Sequence, residues 1–443
     1  MRIYRNFSVI LISCQLLAAS TATCGGADDG VRKLSKTLFD STAQHGHDLQ
    51  RELHELAKTG GELRLSKSAE VTCTKLTETI HGEESVHALV VPQGVTLDLN
   101  GGTLLLSMSD NCYGVRLMTD SAIRNGTIRI VKSENRGSQG CWHSAVSVGA
   151  AYGFGGTVEK PSVFSYVSNW AIEDLTIDQP FETACISIIS ESHHGVIRNI
   201  NILDSDKAPL GVGLDWGSLG PITTADEAYP RLRGLWEKKE ILSLHPHDIL
   251  IENIKVGHLT RMKGDGNDSA VRCSACHNIT IRNIKAKTAG SAVSIWGGDS
   301  GYEHAPEEYR HIGHTGYVIE NVKIENAKFY GIVFNGDADN VTRSIKNYGY
   351  DAMLDTLHPG ISGAKIKNLD LQGDNTPGSR GIYLSACSDL KIDDAKVSGF
   401  ETGLAVNDWV QRIRVTNAEL ENNQVEATVG GATEPPIDIE INP

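Results

Sequence analysis

Two aspartates, Asp215 and Asp268, each border a short apolar alternation, Gly211 to Leu214 and Ala270 to Cys273. A hydrolase needs an acid and a base flanking one glycosidic bond, and an inverting enzyme holds those carboxyls ~6.5–9.5 Å apart. In those roles Asp268 would protonate the leaving oxygen and Asp215 would activate water. The same region offers a second chemistry, proton abstraction at the α-carbon of a uronate, which needs a cation against the carboxylate and a base beside the carbon. Arg272, Lys263 and His247 are the candidates for it. Trp296, Trp216 and Tyr383 supply flat faces on which a pyranose stacks, and Asn335 offers a planar amide to its hydroxyls. Asp265 and Asp268 flank Gly266 in a polar turn whose oxygens suit a hard cation such as Ca2+. No other cofactor is implied.

These groups act together only if short strands hold them on one surface. Eight stretches have the required alternation: those beginning at Gly114, Ala145, Gly211, Ala270, Ala292, Gly331, Gly381 and Gly403. Alternation sends Val271 and Cys273 inward and leaves Arg272 and Ser274 outward. The same count turns Asp215, Trp296, Asn335, Tyr383 and Asn407 outward. Between such strands a second signal returns: an apolar residue, a polar one, then Asn or Asp, as in Ile123-Arg124-Asn125, Ile197-Arg198-Asn199 and Ile281-Arg282-Asn283. The Asn/Asp positions 125, 174, 199, 253, 283, 321, 368, 394 and 417 fit a unit of about 25 residues, with some units enlarged by insertions. A unit of two or three short strands cannot bury its apolar face alone, so units must stack. The expectation is an all-β chain, a single parallel β-helix of roughly a dozen coils whose strands pair ~4.8 Å apart. On that count Asp215 and Asp268 are about two coils, or roughly 10 Å, apart.

From about residue 48 to residue 425 the chain resembles the pectin-lyase-like superfamily of right-handed parallel β-helices. Asp48 to Ala57, with Leu49, Leu53, Leu56 and Ala57 on one stripe, followed by Gly60 to Leu65, resembles its cap helix and first strand. The resemblance implies a right-handed helix with a cap at about 31–65, and an irregular tail is expected at about 425–443. The stretch from Gly264 to Arg272 resembles the polygalacturonase family of glycoside hydrolases. Asp268 falls on the second Asp of that family's Gly-Asp-Asp site, Asn267 replaces the first, and Ala289-Gly290-Ser291 stands where the family has Gly-His-Gly. His245-Pro246-His247-Asp248 is similar to a motif of mannuronan epimerases in which an acid and a His handle the sugar proton. Asp248 also aligns with Asn278 and Asp389 as an ordinary strand-entry residue. These resemblances imply a polysaccharide partner, met by a hydrolase, by a uronan lyase or epimerase, or by a non-catalytic carbohydrate-binding or adhesin-like β-helix.

A formal net charge of −14 argues against nucleic acid as a partner. Arg2, Arg5, the apolar run Phe7 to Ala19 and Ser20-Thr21-Ala22 read as a leader over residues 1–22, which leaves residues 23–443 as a secreted, extracellular or periplasmic protein. Lipid attachment at Cys24 is the alternative reading. No later stretch has the eighteen or so apolar residues of a membrane span. Eight cysteines remain after the leader, of which Cys112 and Cys141 are the expected bridge. Cys273 and Cys276 are expected to fill core. His193, His247 and His277 share a turn column. Insertions at 133–166, 216–240, 297–316 and 336–362 are expected to wall a groove on one face.

Overall fold

The computed structural model describes residues 37–80, 83–108, 113–133, 144–149, 167–178, 184–189, 192–215, 245–262, 268–297, 314–336, 360–431 and 436–442. They wind into a parallel β-helix. Phe39 pairs with Leu63, and the column continues through Leu97, Ile123, Ile172, Ile197, Ile251, Ile281, Ile319, Ile366, Ile392 and Val415 to Ile441. Every member from Leu63 to Val415 is buried in one continuous apolar core. A hairpin between Leu76–Ile80 and Glu83–Val91 is antiparallel; the other described strand pairs are parallel.

The Asn of the repeated motif has a backbone reason. Asn125, Asp174, Asn199, Asn253, Asn283, Asn321, Asn368, Asp394 and Asn417 all have φ between +53° and +60°. That left-handed bend suits Asn and Asp, and disfavours most other side chains. The amides then form a ladder: Asn253 Nδ2 donates to Asn199 Oδ1 at 2.9 Å, Asn283 to Asn253 at 2.9 Å and Asn321 to Asn283 at 2.8 Å. The ladder runs along the surface, so its contribution is backbone geometry more than burial. Asn283→Leu should therefore cost ~1–3 kcal/mol, from strain at the bend and the lost ladder bonds. A denaturant midpoint equal to that of the parent would remove the ladder from the account of stability. A second left-handed column, which includes His194, Asp248, Asn278 and Asp389, opens the same sheet. Asp248 is thus a bend residue, as the strand-entry reading has it.

The middle residue of the motif carries information of its own. Up the stack it reads Arg64, Asp98, Arg124, Glu173, Arg198, Glu252, Arg282, Glu320, Lys367 and Asp393, each in register with the next. Arg198 Nε lies 3.0 Å from Glu173 and 3.7 Å from Glu252, which also meets Arg282 at 2.7 Å. Such half-exposed pairs add little each. Their collective effect is specificity, because pairing a coil with the wrong neighbour sets like charges together.

Helix Gly46–Ala57 closes the first coil, with Leu49, Leu53 and Leu56 buried in the core end. Its Gln50 amide donates to Val90 O at 3.0 Å and accepts from Val90 N at 2.8 Å. One side chain thereby satisfies both backbone groups at a sheet edge. At the other end, the tail expected to be irregular instead forms two more strands. Val425–Val429 pairs with Thr402–Val406, and Ile437–Asn442 pairs with Gln411–Glu421, because the coil below offers an unpaired backbone edge.

Cys273 and Cys276 are buried, as core filling requires, and Cys73, Cys185 and Cys387 are buried free thiols as well. The expected bridge between Cys112 and Cys141 lies outside the described residues, as do the leader, Cys24 and most of the four insertions. Among the described residues no helix is long and apolar enough to cross a membrane.

Candidate functional site

The strands Leu210–Asp215, Ser269–Ser274, His277–Trp296, Val318–Asn335, Arg380–Ser385 and Thr402–Val406 form successive rungs of one sheet. Small first residues let these rungs approach. A Cβ on Gly381 would stand 2.5 Å from Gly403 O, and one on Gly211 would stand 2.5 Å from Ala270 O. Val212, Val271, Val293, Ile332, Ile382 and Leu404 point into the core. The residues between them face out. One outward column runs Gly213, Arg272, Ser294, Val333, Tyr383 and Ala405; the next runs Asp215, Ser274, Trp296, Asn335 and Ser385. Arg272, Asp215, Trp296, Asn335 and Tyr383 thus share a face, as alternation requires.

That face is uneven. Asp215, Ser274 and Ser294 are buried, whereas Trp296, Asn335, Tyr330 and Tyr383 are half-buried. Arg272 Nη1 lies 3.8 Å from Asp215 Oδ2, with the carboxylate side chain 3 % exposed and the guanidinium 14 %. The Cys276 thiol is pushed well up by burial first, then by Cys273 and the charge of Asp215, which sets Asp215 at the corner leading out of this sheet.

Asp268 is elsewhere. Leu210 pairs with Ser269 and Asp215 pairs with Ser274, so the two carboxylates sit on adjacent coils, not two coils apart. They occupy opposite ends of the rung, six strand positions from each other, or about 20 Å of backbone. That exceeds the ~6.5–9.5 Å at which two carboxyls flank one bond. Asp215 and Asp268 therefore do not form the expected acid and base pair. Lys263, Asp265 and Trp216 lie outside the described residues, so the expected cation turn at Asp265 and Asp268 is only half visible. Among the described residues no three His, Cys, Asp or Glu side chains converge as a metal site requires.

Around the corner from Ser274 stands a column of imidazoles. His193, His247 and His277 are register partners on consecutive coils. His247 Nδ1 lies 2.7 Å from the carbonyl oxygen of His245. A carbonyl only accepts, so Nδ1 carries a proton, and in the neutral ring Nε2 is the acceptor. Burial first, and the neighbouring imidazoles next, lower His193 to about 4 and His277 to about 3.

Strand alternation alone overlooks Tyr330 and Arg380. Counted back from Ile332, Tyr330 should point inward, yet its ring lies 5.3 Å from that of Tyr383. Tyr330 opens its rung directly after a register shift, between Ala327 and Tyr330 opposite Ala289 and Ser291, so the alternation of the rung does not extend to it. Arg380 stands 4.9 Å from the Tyr383 ring centre, and Asn407 Nδ2 donates to Tyr383 Oη at 3.1 Å.

No protein-family model matches the chain, and no curated protein matches it. Solved structures do. A tailspike protein of E. coli bacteriophage HK620, in complex with a hexasaccharide, is similar at a TM-score of 0.51 and 9 % identity; the match covers 89 % of this chain and 60 % of the tailspike. The mannuronan C-5 epimerase A-module of Azotobacter vinelandii is similar at a TM-score of 0.46 and 13 % identity, covering 89 % and 91 %. An exopolygalacturonase of Thermotoga maritima follows at 0.44 and 10 %, covering 92 % of each chain. At these identities the likeness concerns the fold alone, which is the right-handed parallel β-helix.

Proposed function

We propose that this protein is secreted and acts on an acidic polysaccharide laid across the outward face that carries Arg272, Trp296, Asn335 and Tyr383. The observation that carries this reading is the register. It groups a guanidinium, half-buried aromatic rings and planar amides on consecutive rungs, and it brings the imidazoles of His247 and His277 to the adjoining corner. A pyranose stacks on the rings while its hydroxyls meet the amides. Arg272 is a neutraliser for a uronate carboxylate, with Asp215 holding it in place. His247, with Nε2 free to accept, is the base for the proton on the α-carbon. Abstraction there leads to elimination or to epimerisation. Hydrolysis by Asp215 and Asp268 together loses support with their separation.

A second reading has one observation in its favour. Asp215 is 2 % exposed, which suits a carboxylate that orders a binding surface better than one that touches substrate. On that reading the face binds glycan without turnover. Incubation with a panel of algal, plant and bacterial glycans separates these outcomes. Unsaturated uronate together with new reducing ends means a lyase, and a changed uronate proton spectrum without cleavage means an epimerase. Reducing ends alone would refute the α-carbon reading. Binding with none of these signals would leave a carbohydrate-binding surface.

Trp296→Ala provides a check on the face itself. Losing a stacking platform should weaken glycan binding by roughly 1 kcal/mol or more, about fivefold in Kd, with little change in the melting midpoint. Unaltered affinity, measured calorimetrically with an active glycan, would move the groove to another face.

A further inference from the structure

Six imidazoles meet at the corner beside this face. The rings of His193, His247 and His277 are stacked at centroid distances of 4.7 and 4.8 Å, with interplanar angles of 13° and 9°. His194 meets His193 edge-on, their Nδ1 atoms 2.5 Å apart. Behind the stack lie His245 and His314, both fully buried, with ring centroids 5.1 Å apart. The acid facing the stack is Asp248, with Oδ2 3.7 Å from His247 Nε2. Cys276, the residue before His277, accepts at its carbonyl from Tyr317 Oη; burial keeps both side chains neutral, and the charge of Asp215 bears on the Cys276 thiol.

Two contacts tie the imidazoles to the binding face. His245 Nδ1 donates to Ala275 O at 2.6 Å, one residue beyond Ser274. His314 lies against the backbone of Gly297, one residue beyond Trp296. The ends of two rungs of that face therefore rest on buried, neutral imidazoles.

We propose that this histidine cluster makes the adjoining face acid-labile: proton uptake by the stacked rings opens the corner and displaces Trp296 and the Asp215–Arg272 pair. The coupling rests on the reading of that face as a carbohydrate site; the opening itself does not. Adjacent imidazolium rings repel, and strands joined by backbone hydrogen bonds give them no room to part. Burial, reinforced by the neighbouring rings, lowers His193 to about 4 and His277 to about 3, burial lowers His314 to about 4, and His245 is held well below the usual range. A His held below its unfolded value of about 6.5 binds fewer protons folded than unfolded. The closed corner is therefore fully stable above about pH 6.5 and loses stability as the pH falls from there toward 3–4.

Hydrogen exchange of the full chain between about pH 8 and pH 4, corrected for intrinsic rates, tests this, with glycan affinity measured in parallel. Amides in 192–202, 247–258 and 275–281 should lose protection steeply below about pH 6.5, with more than one proton taken up per opening, while 366–371 stays protected. Residues 291–297 should follow the corner, and affinity for a bound glycan should fall about tenfold or more over the same window. The His193→Gln, His194→Gln variant should move the opening to lower pH. Protection that is flat across the window, or opening unchanged in that variant, overturns the proposal. Should the variant not fold, NMR titration of the parent's imidazoles decides: all rings titrating at about 6–7 would overturn it. If corner and face open together but no glycan binds at any pH, the switch is upheld and the carbohydrate reading fails.

Discussion

His247→Gln is expected to lower turnover on a uronate-containing glycan by ~10²–10⁴, the usual contribution of a general base, while the fold survives. The expectation follows from the tautomer. The bond from Nδ1 to the carbonyl of His245 leaves Nε2 as the proton acceptor on a side chain that is 14 % exposed, and Gln can keep a hydrogen bond there but cannot take up a proton. Turnover should fall with little change in KM, since the imidazole assists chemistry more than binding. The measurement is steady-state kinetics on whichever panel glycan is processed, beside the far-ultraviolet spectrum of the variant. Full activity in a folded His247→Gln protein would remove His247 from the mechanism.

Arg272→Met should destabilise the protein by ~3–5 kcal/mol, because it leaves the buried carboxylate of Asp215 without its arginine. The methionine keeps most of the apolar stem, so the loss reports charge more than packing. Adding Asp215→Asn should recover much of that loss, since an amide carries no charge to be desolvated. Urea melts of the parent, both single variants and the double variant measure the coupling directly. Additive single effects would mean that the 3.8 Å pair is incidental. The same substitution should abolish activity on an acidic glycan if Arg272 meets the uronate, even where Asp215→Asn restores stability. That divergence separates a substrate contact from a structural cation.

Much of this molecule is local, and the local part is legible in the chain. The left-handed bend after Ile281-Arg282 asks for Asn283 whatever lies above it, and strand alternation turns Val271 inward and Arg272 outward without reference to any other coil. The cap stripe of Leu49, Leu53 and Leu56 is readable for the same reason, since about two turns of one helix contain it. Gln50 on that buried side is not readable, because its partner Val90 lies forty residues away. The charge alternation from Arg64 to Asp393 is written in the sequence, yet it acquires meaning only once coils are paired. Tyr330 and Arg380 join Tyr383 only once their rungs are paired, which alternation within a single strand does not contain.

The separation of the two aspartates belonged entirely to the tertiary structure. They are 53 residues apart, which at about 25 per coil reads as two coils. Much of that stretch adds chain without adding a rung to this sheet, so Leu210–Asp215 pairs directly with Ser269–Ser274. Sequence spacing measures contour length, whereas distance in a β-helix is set by rungs crossed and by position along the rung. The sequence determined which way Asp215, Arg272, Trp296, Asn335 and Tyr383 face, because that depends on the nearest two bonds of backbone. Which candidates meet was decided by register alone, because register is a property of two coils and no single stretch of chain contains it.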